Sequence, residues 1–351
     1  VSAHGGWLAF DDYLRLVLYA PGLGYYSAGS AKLGRGGDFI TAPELSALFG
    51  RALARQCAEV LRRLGGGGGN CVLELGAGTG ALAATLLPAL AELGALPDHY
   101  DILEISADLA ERARTRLATL PEALRARVRW LNALPATPIH GVLLANEVAD
   151  ALPFRLFGVM AGRFVEWGVA LWSGAALTLA GRPADAALTD ELRRLGLGTQ
   201  PGAAPGAEGL AALPDGYRSE LCALLGPWVA SLGAALARGA AFIIDYGLAR
   251  REYYHEQRTR GTLRCHFRHR AHDDPLLYPG MQDITAWVDF TRVAEAAVDA
   301  GMAVAGYCTQ AGFLLANGIE ADVAAAATTL ERARLAAQAR QLLMPDEMGE
   351  N

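Results

Sequence analysis

Between Cys71 and Ala145 the apolar positions switch repeatedly between two spacings. CVLEL is a short continuous apolar run closed by glycines, and ALAATLLPALAEL after it repeats its leucines at helical spacing. The same exchange continues through YDILEI, LAERARTRLATL, VRWL and GVLLA. It predicts parallel strands joined by covering helices: an α/β fold with a doubly wound, Rossmann-like sheet and helices on both faces. Upstream, Thr41-Ala42-Pro43-Glu44 has capping-box spacing with a proline in the first turn, and Leu45, Leu48, Phe49, Leu53, Val60, Leu61 and Leu64 form an apolar stripe. A helix is therefore predicted from Thr41, and the glycine run Gly65 to Gly69 reads as its slack connector. Residues 1–69 are expected to form a helical and looped segment packing over the site, and residues 70–351 the Rossmann-like domain.

The rhythm fails between Pro153 and Pro214. RLFGVM and RFVEWGVALW predict a hairpin, and a Gly/Pro/Ala-rich stretch follows, so an inserted subregion is expected there. A helix around Ser219 to Ala237 and the strand AAFIIDYG resume the sheet; a polar, His-rich, lid-like excursion spans about 247–282. A helix from Asp289 to Ala300, a strand MAVAGY and a long Ala-rich helix ending near Pro345 complete the expected order.

Composition narrows the classes of partner. Hydrophobic residues make up 52% of the 351, yet Gly, Pro or Arg breaks every apolar run well before the ~20 residues of a membrane span, so no transmembrane helix is expected. The opening residues carry no basic start, apolar stretch and small-residue cleavage site, so nothing reads as a secretory signal. Cysteines at 57, 71, 222, 265 and 308 are odd in number and lack a CxxC pair, which argues against a disulfide framework and points to a cytoplasmic location. A net charge of −6 gives no general attraction to phosphate backbones, so nucleic acid is not an expected partner. Lys32 is the only lysine; the Arg and Ala excess reads as a genome-composition bias.

The sharpest chemical signal is Glu74-Leu75-Gly76-Ala77-Gly78-Thr79-Gly80, directly after one predicted strand and directly before a helix. Glycines there let the backbone turn sharply and approach a ligand that a Cβ would exclude. Gly76, Gly78 and Ala81 also satisfy a dinucleotide fingerprint. The E-x-G-x-G-x-G spacing and the strand-end Glu74 favour a cofactor without pyrophosphate, which makes S-adenosylmethionine the expected cofactor and S-adenosylhomocysteine its product. Glu104, ending the next strand, can accept hydrogen bonds from ribose hydroxyls. Asn132, just past VRWL, either meets the adenine edge or forms a turn. The following strand ends in Asn146-Glu147-Val148-Ala149-Asp150, bringing an amide and two carboxylates to the crevice edge, although Asp150 also suits a helix cap.

LYAPGLGYYS, GDFITAPELSALFG, ELGAGTGALA, NEVADALP, IDYG, RGTL and PGMQDITAWVDF together resemble the sequence blocks of the MidA-like methyltransferases, which include the mitochondrial complex I assembly methyltransferases. The resemblance spans nearly the whole chain. It implies S-adenosylmethionine binding by Gly76, Gly78, Gly80 and Glu104, and puts Asp38, Thr41 and Glu44 near the substrate. It suggests a protein arginine as acceptor, in complex I assembly members a subunit of that complex. It also implies a final strand beyond the MGE-type block at 348–350, where this sequence ends at Asn351.

Methyl transfer from a sulfonium is an in-line displacement that needs mostly alignment and desolvation. A guanidinium stays protonated at neutral pH, and a carboxylate can hold its fork and orient it. Glu147 is the first choice for that clamp, with Asp150 and Asp38 next. Gln282 and Asp283 suit the acceptor pocket, Asp283 alternatively capping a helix near Ile284. His255, His266, His269 and His272 crowd one segment, but their spacing matches no metal helix and no cysteine pair completes a site, so no metal is expected; Arg260-Gly261-Thr262 marks the turn of a polar lid. A small-molecule methyltransferase, a non-catalytic binding or assembly factor of the same fold, and a nucleotide-linked oxidoreductase are the competing readings.

Overall fold

The computed structural model describes residues 1–27, 40–65, 68–172, 176–199, 212–345 and 347–349. The chain divides into two compact units: residues 29–149, 228–246 and 296–351 make one, and residues 1–28, 150–227 and 247–295 the other.

The first unit is built on strands β1 (Asn70–Leu75), β2 (His99–Leu103), β3 (Val128–Leu131), β4 (Ile139–Asn146) and β5 (Leu236–Ile244). They lie in the order β5-β4-β1-β2-β3, every neighbouring pair parallel. Helices α1 (Ala47–Leu64), α2 (Ala81–Glu92) and α3 (Ala107–Leu117) belong to the same unit. The period-2 alternation of each strand sorts its side chains between two faces. Val72, Tyr100, Ile102, Val142 and Leu144 pack with Leu48, Phe49 and Leu53 of α1 and Leu82 and Leu86 of α2. Cys71, Leu73, Leu75, Leu143 and Ala145 pack on the opposite face, with Leu232 of the helix Leu225–Ala235. Two buried faces explain why these strands read as unbroken apolar runs. Each fully buried leucine adds about 1.5–3 kcal/mol.

Two elements differ from expectation here. The helix predicted from Thr41 is two helices, Ala42–Leu45 and α1, parted at Ser46. Thr41 makes no side-chain cap; Ser46 Oγ accepts from Leu48 N at 3.2 Å and caps α1, because the Glu44 carboxylate that would complete a capping box is engaged elsewhere. MAVAGY forms no strand: residues 302–309 carry no regular element, since alternation alone supplies no ladder partner and, among the described residues, the sheet ends at β5.

The second unit is mainly antiparallel, its one parallel pair among the described residues being Gly247–Leu248 with Val288–Asp289. Arg155–Met160 and Arg163–Trp172 form the expected hairpin, extended by Trp7–Ala9, Ala176–Pro183 and Arg218–Leu221 into a five-stranded sheet. One face packs Leu156 and Val169 with Phe10, Leu14 and Leu18 of the helix Phe10–Tyr19; the other packs Phe157 and Val159 with Leu188, Leu192 and Tyr217. Residues 264–285 add a three-stranded antiparallel sheet, Arg270–His272, Arg264–Phe267 and Asp283–Thr285. The insertion thus reaches 150–227, wider than the expected 153–214, and is joined by residues 1–28 and 247–295, so segment 1–69 is split between the units. The reason is long-range pairing: Trp7 sits opposite Ala170. Ser219 and Glu220, expected in a helix, lie in the strand Arg218–Leu221. No helix among the described residues is long and apolar enough to cross a membrane.

Candidate functional site

Because all five strands run parallel, their C-terminal ends share one edge, and register levels them: Leu75 lies opposite Leu103 and Ala145, Leu103 opposite Leu131, Asn146 opposite Ile244. Strand order reverses between β1 and β4, and ligands of open α/β sheets bind at such a switch point. The glycine loop after β1 and the Asn146-Glu147 pair ending β4 flank it.

Gly76, Gly78 and Gly80 all have left-handed φ, +62°, +56° and +79°. At Gly76 a Cβ would lie 2.9 Å from Val148 Cγ2, and at Gly80 3.0 Å from Ala113 Cβ, so the loop needs both the conformation and the missing side chain. Gly76 N donates to Leu103 O at 2.9 Å and Gly78 N to Glu104 Oε2 at 2.8 Å. Glu104 Oε1 accepts from Ser106 N at 2.8 Å, so the acid ending β2 holds the loop and the start of α3. Burial pushes the Glu104 carboxyl up from its ordinary value, against the backbone hydrogen bonds that favour its charged form. The backbone N–H groups of Gly78, Ser106 and Ile105 still leave the carboxylate acceptor capacity for a ribose hydroxyl. Glu74 lies deeper: 3% exposed, it accepts from Tyr100 Oη at 2.8 Å, and burial pushes it up to about 7.

Across the switch point, Asn146 Oδ1 is buried without a hydrogen-bond partner among the described residues, and its Nδ2 donates to Glu147 Oε1 at 3.4 Å. Glu147 has φ +52°, a conformation L side chains seldom adopt, and its N–H donates to Ile244 O at 2.8 Å. The turn is held by Asp245, directly after β5: its Oδ2 accepts from Val148 N at 3.1 Å and Ala149 N at 2.8 Å. Strain at a ligand-facing strand end, kept in place by a 2% exposed carboxylate, is a common mark of a functional position. Asp245 lies in the IDYG block, and its place at a strand's C-terminal end is the sequence signal that marks it.

Glu44 is also in this unit, with its carboxylate on Arg116 and on the hydroxyl of Thr79. Thr41 is half-buried ahead of it, and Asn132 is exposed at a bend after β3. Asp38 lies outside the described residues. Asp150, Gln282 and Asp283 belong to the other unit. There Asp150 caps no helix, since Arg155–Met160 is the next element, and its carbonyl accepts from Ala286 N at 3.3 Å. Asp283 opens a strand rather than capping a helix; it is buried and accepts from Tyr26 Oη at 2.8 Å. Gln282 is fully buried, its Nε2 donating to Asp274 O at 3.2 Å and its Oε1 without a partner among the described residues. In the excursion, Gly261 and Thr262 pack on buried Glu220, which accepts from Thr262 N and Leu263 N. Among the described residues no cluster of His, Cys, Asp and Glu is placed to hold a metal ion.

The acceptor set at the edge suits S-adenosylmethionine. Glu104, Asn146 and Glu147 supply carboxylates and an orphaned amide oxygen, which fit hydroxyls, amines and a sulfonium and oppose a pyrophosphate. Comparison with known proteins agrees. Residues 52–308 match the family model described as "Putative S-adenosyl-L-methionine-dependent methyltransferase". The chain is 28% identical to "Protein arginine methyltransferase NDUFAF7, mitochondrial" of Danio rerio, covering 98% of this chain and 82% of that protein. It is 30% identical to the Drosophila melanogaster homolog of that methyltransferase, also named mitochondrial, covering 84% and 68%. A crystal structure from Burkholderia thailandensis, of a protein described as a "likely methyl transferase" and bound to S-adenosyl-homocysteine, is 44% identical with a TM-score of 0.89, covering 99% of this chain and 87% of that one. The names of these curated relatives overturn the expected cytoplasmic location, because unpaired cysteines report a reducing environment and not which compartment supplies it. The chain belongs to the MidA-like family of S-adenosylmethionine-dependent methyltransferases.

Proposed function

We propose that this methyltransferase modifies an arginine side chain of a protein substrate, with Glu147 as the carboxylate that holds the guanidinium. The observation carrying this reading is the strained Glu147 backbone at the switch point, opposite a glycine loop tied to Glu104. Bound S-adenosylmethionine supplies a methyl group on a sulfonium, an electrophile that needs no further activation. The chain's own residues bind and orient. Gly76, Gly78 and Gly80 admit the cofactor's close approach, Glu104 takes ribose hydroxyls, and Asn146 offers its amide oxygen to a donor. Glu147 pairs with the guanidinium in a charge-assisted fork and turns one nitrogen toward the methyl group, and on methylation that nitrogen releases one proton to solvent, leaving a methylguanidinium and S-adenosylhomocysteine.

The names of the curated relatives support arginine as the acceptor, and a protein substrate with it. A respiratory complex I subunit is the finer reading, and it stands on the family resemblance. The test is incubation of the chain with radiolabelled methyl donor and a lysate of its source organism, followed by location of the label. Label on an arginine of one protein band is expected. Label confined to small molecules would replace the reading with a small-molecule methyltransferase; S-adenosylhomocysteine binding without any transfer would make the chain a binding factor.

A further inference from the structure

The glycine loop is held by more than Glu104. Thr79 stands between two left-handed glycines, and its hydroxyl donates to Glu44 Oε1 and accepts from Arg116 Nη1 at 2.8 Å. Arg116 is bidentate on the same carboxylate, Nη1 to Oε1 at 2.8 Å and Nη2 to Oε2 at 3.1 Å. The Glu44 side chain is 13% exposed and that of Arg116 37%, so the carboxylate is the sheltered half of the fork. Arg116 lies in the last turn of α3, the helix that starts just after Glu104 and packs Ala113 against Gly80. One helix therefore meets three loop residues: Gly78 through the acid preceding it, Gly80 through Ala113, and Thr79 through Arg116.

We propose that Arg116 and Glu44 form a latch that positions the glycine loop for the cofactor, so that affinity for S-adenosylmethionine rests on an ion pair assigned no cofactor atom. A loop of alternating glycines loses much conformational freedom when it closes on a ligand, and a device that orders it beforehand removes that cost from binding. Isolated surface ion pairs add little to stability. A bidentate pair anchored on Thr79 acts instead on the geometry of one loop. The short helix Ala42–Leu45 gains a purpose as the element that presents Glu44. The proposal rests on the assignment of residues 76–80 as the cofactor loop.

The experiment measures S-adenosylhomocysteine binding by calorimetry and ligand-free thermal unfolding for the full chain and five variants: Arg116→Met, Arg116→Lys, Thr79→Val, the Arg116→Met/Thr79→Val double, and Gly78→Val. Arg116→Met and Thr79→Val should each weaken binding by roughly tenfold, about what one charge-assisted hydrogen bond is worth. The double variant should bind no more weakly than the poorer single, because both remove the same link. Arg116→Lys should recover part of the loss, keeping the charge without the fork. Binding within twofold of wild type in Arg116→Met, a lowered unfolding midpoint with unchanged affinity, or multiplied losses in the double would each overturn the latch. If Arg116→Met does not fold, Thr79→Val, of nearly the same size, decides alone. Gly78→Val separates the two assignments. Lost binding there with normal binding in Arg116→Met or Thr79→Val refutes the latch alone, whereas normal binding in Gly78→Val refutes the loop assignment and the latch with it.

Discussion

At Glu147 the backbone is left-handed, φ +52°, in a residue that carries a full side chain. That conformation costs on the order of 1–2 kcal/mol and persists because Asp245 and Ile244 hold the turn. Two substitutions separate the carboxylate from the conformation. Glu147→Gln keeps size and removes charge, so methyl incorporation should fall roughly ten- to hundredfold, the loss of about 1.5–3 kcal/mol from a charge-assisted clamp, with S-adenosylhomocysteine affinity nearly unchanged. Glu147→Gly should abolish transfer while raising stability by up to about 1 kcal/mol, since glycine accepts the conformation freely. Unchanged methylation in Glu147→Gln would remove the residue from the site, and a destabilised Glu147→Gly would remove the strain argument. Glu74 offers a different reading. Burial raises its folded-state pKa to about 7 from an ordinary 4.5, so between those values the folded protein holds more protons than the unfolded chain. Stability therefore falls as pH rises through that window. Glu74→Gln keeps an acceptor for Tyr100 and has nothing to ionise. Its unfolding midpoint, relative to wild type, should climb between pH 4.5 and 7 and level off above; a difference flat with pH would mean Glu74 titrates normally.

The elements differ in how much of them the sequence disclosed, and the reason is the range of the forces that define each. β1, the glycine loop and α2 were legible because buried strand, turn and helix are each written within a few residues. The start of α1 was not. Thr41 and Glu44 have capping-box spacing, but Arg116, far away in sequence, takes the glutamate, and Ser46 becomes the cap. Ser46→Ala should then lower stability by about 1 kcal/mol, while Thr41→Ala should cost less, which paired denaturant melts would show; equal losses would restore the capping box. Arg116 itself gave no signal, since an arginine in the last turn of a helix is ordinary. MAVAGY had the right alternation for a strand and lacks the ladder, a partner that no local pattern announces. The pairing of Trp7–Ala9 with Gly168–Ala170 was equally hidden, and with it the membership of the antiparallel unit.

For the whole molecule, cofactor binding and folding are one equilibrium. A ligand that binds only the folded chain, at a free concentration a hundred times its Kd, adds about 2.7 kcal/mol, which for a chain of this length is a rise of about 4 °C in the unfolding midpoint. S-adenosylhomocysteine should produce that rise, and NAD at the same concentration should not. The difference follows from charge: the edge presents Glu104, Glu147 and Asp245, which oppose a pyrophosphate, while the glycine loop is tied back by Glu104 and offers Gly78 N–H to that carboxylate instead of a phosphate. Amide hydrogen exchange should place the effect, with added protection at residues 76–80, 104–106 and 146–149 and little in the antiparallel unit. These three segments are where the parallel strands end on either side of the switch point, so protection there ties the thermal shift to the proposed site. An equal shift with NAD would return the chain to nucleotide chemistry. A shift with S-adenosylhomocysteine but no protection at 76–80 would keep the cofactor and move its site.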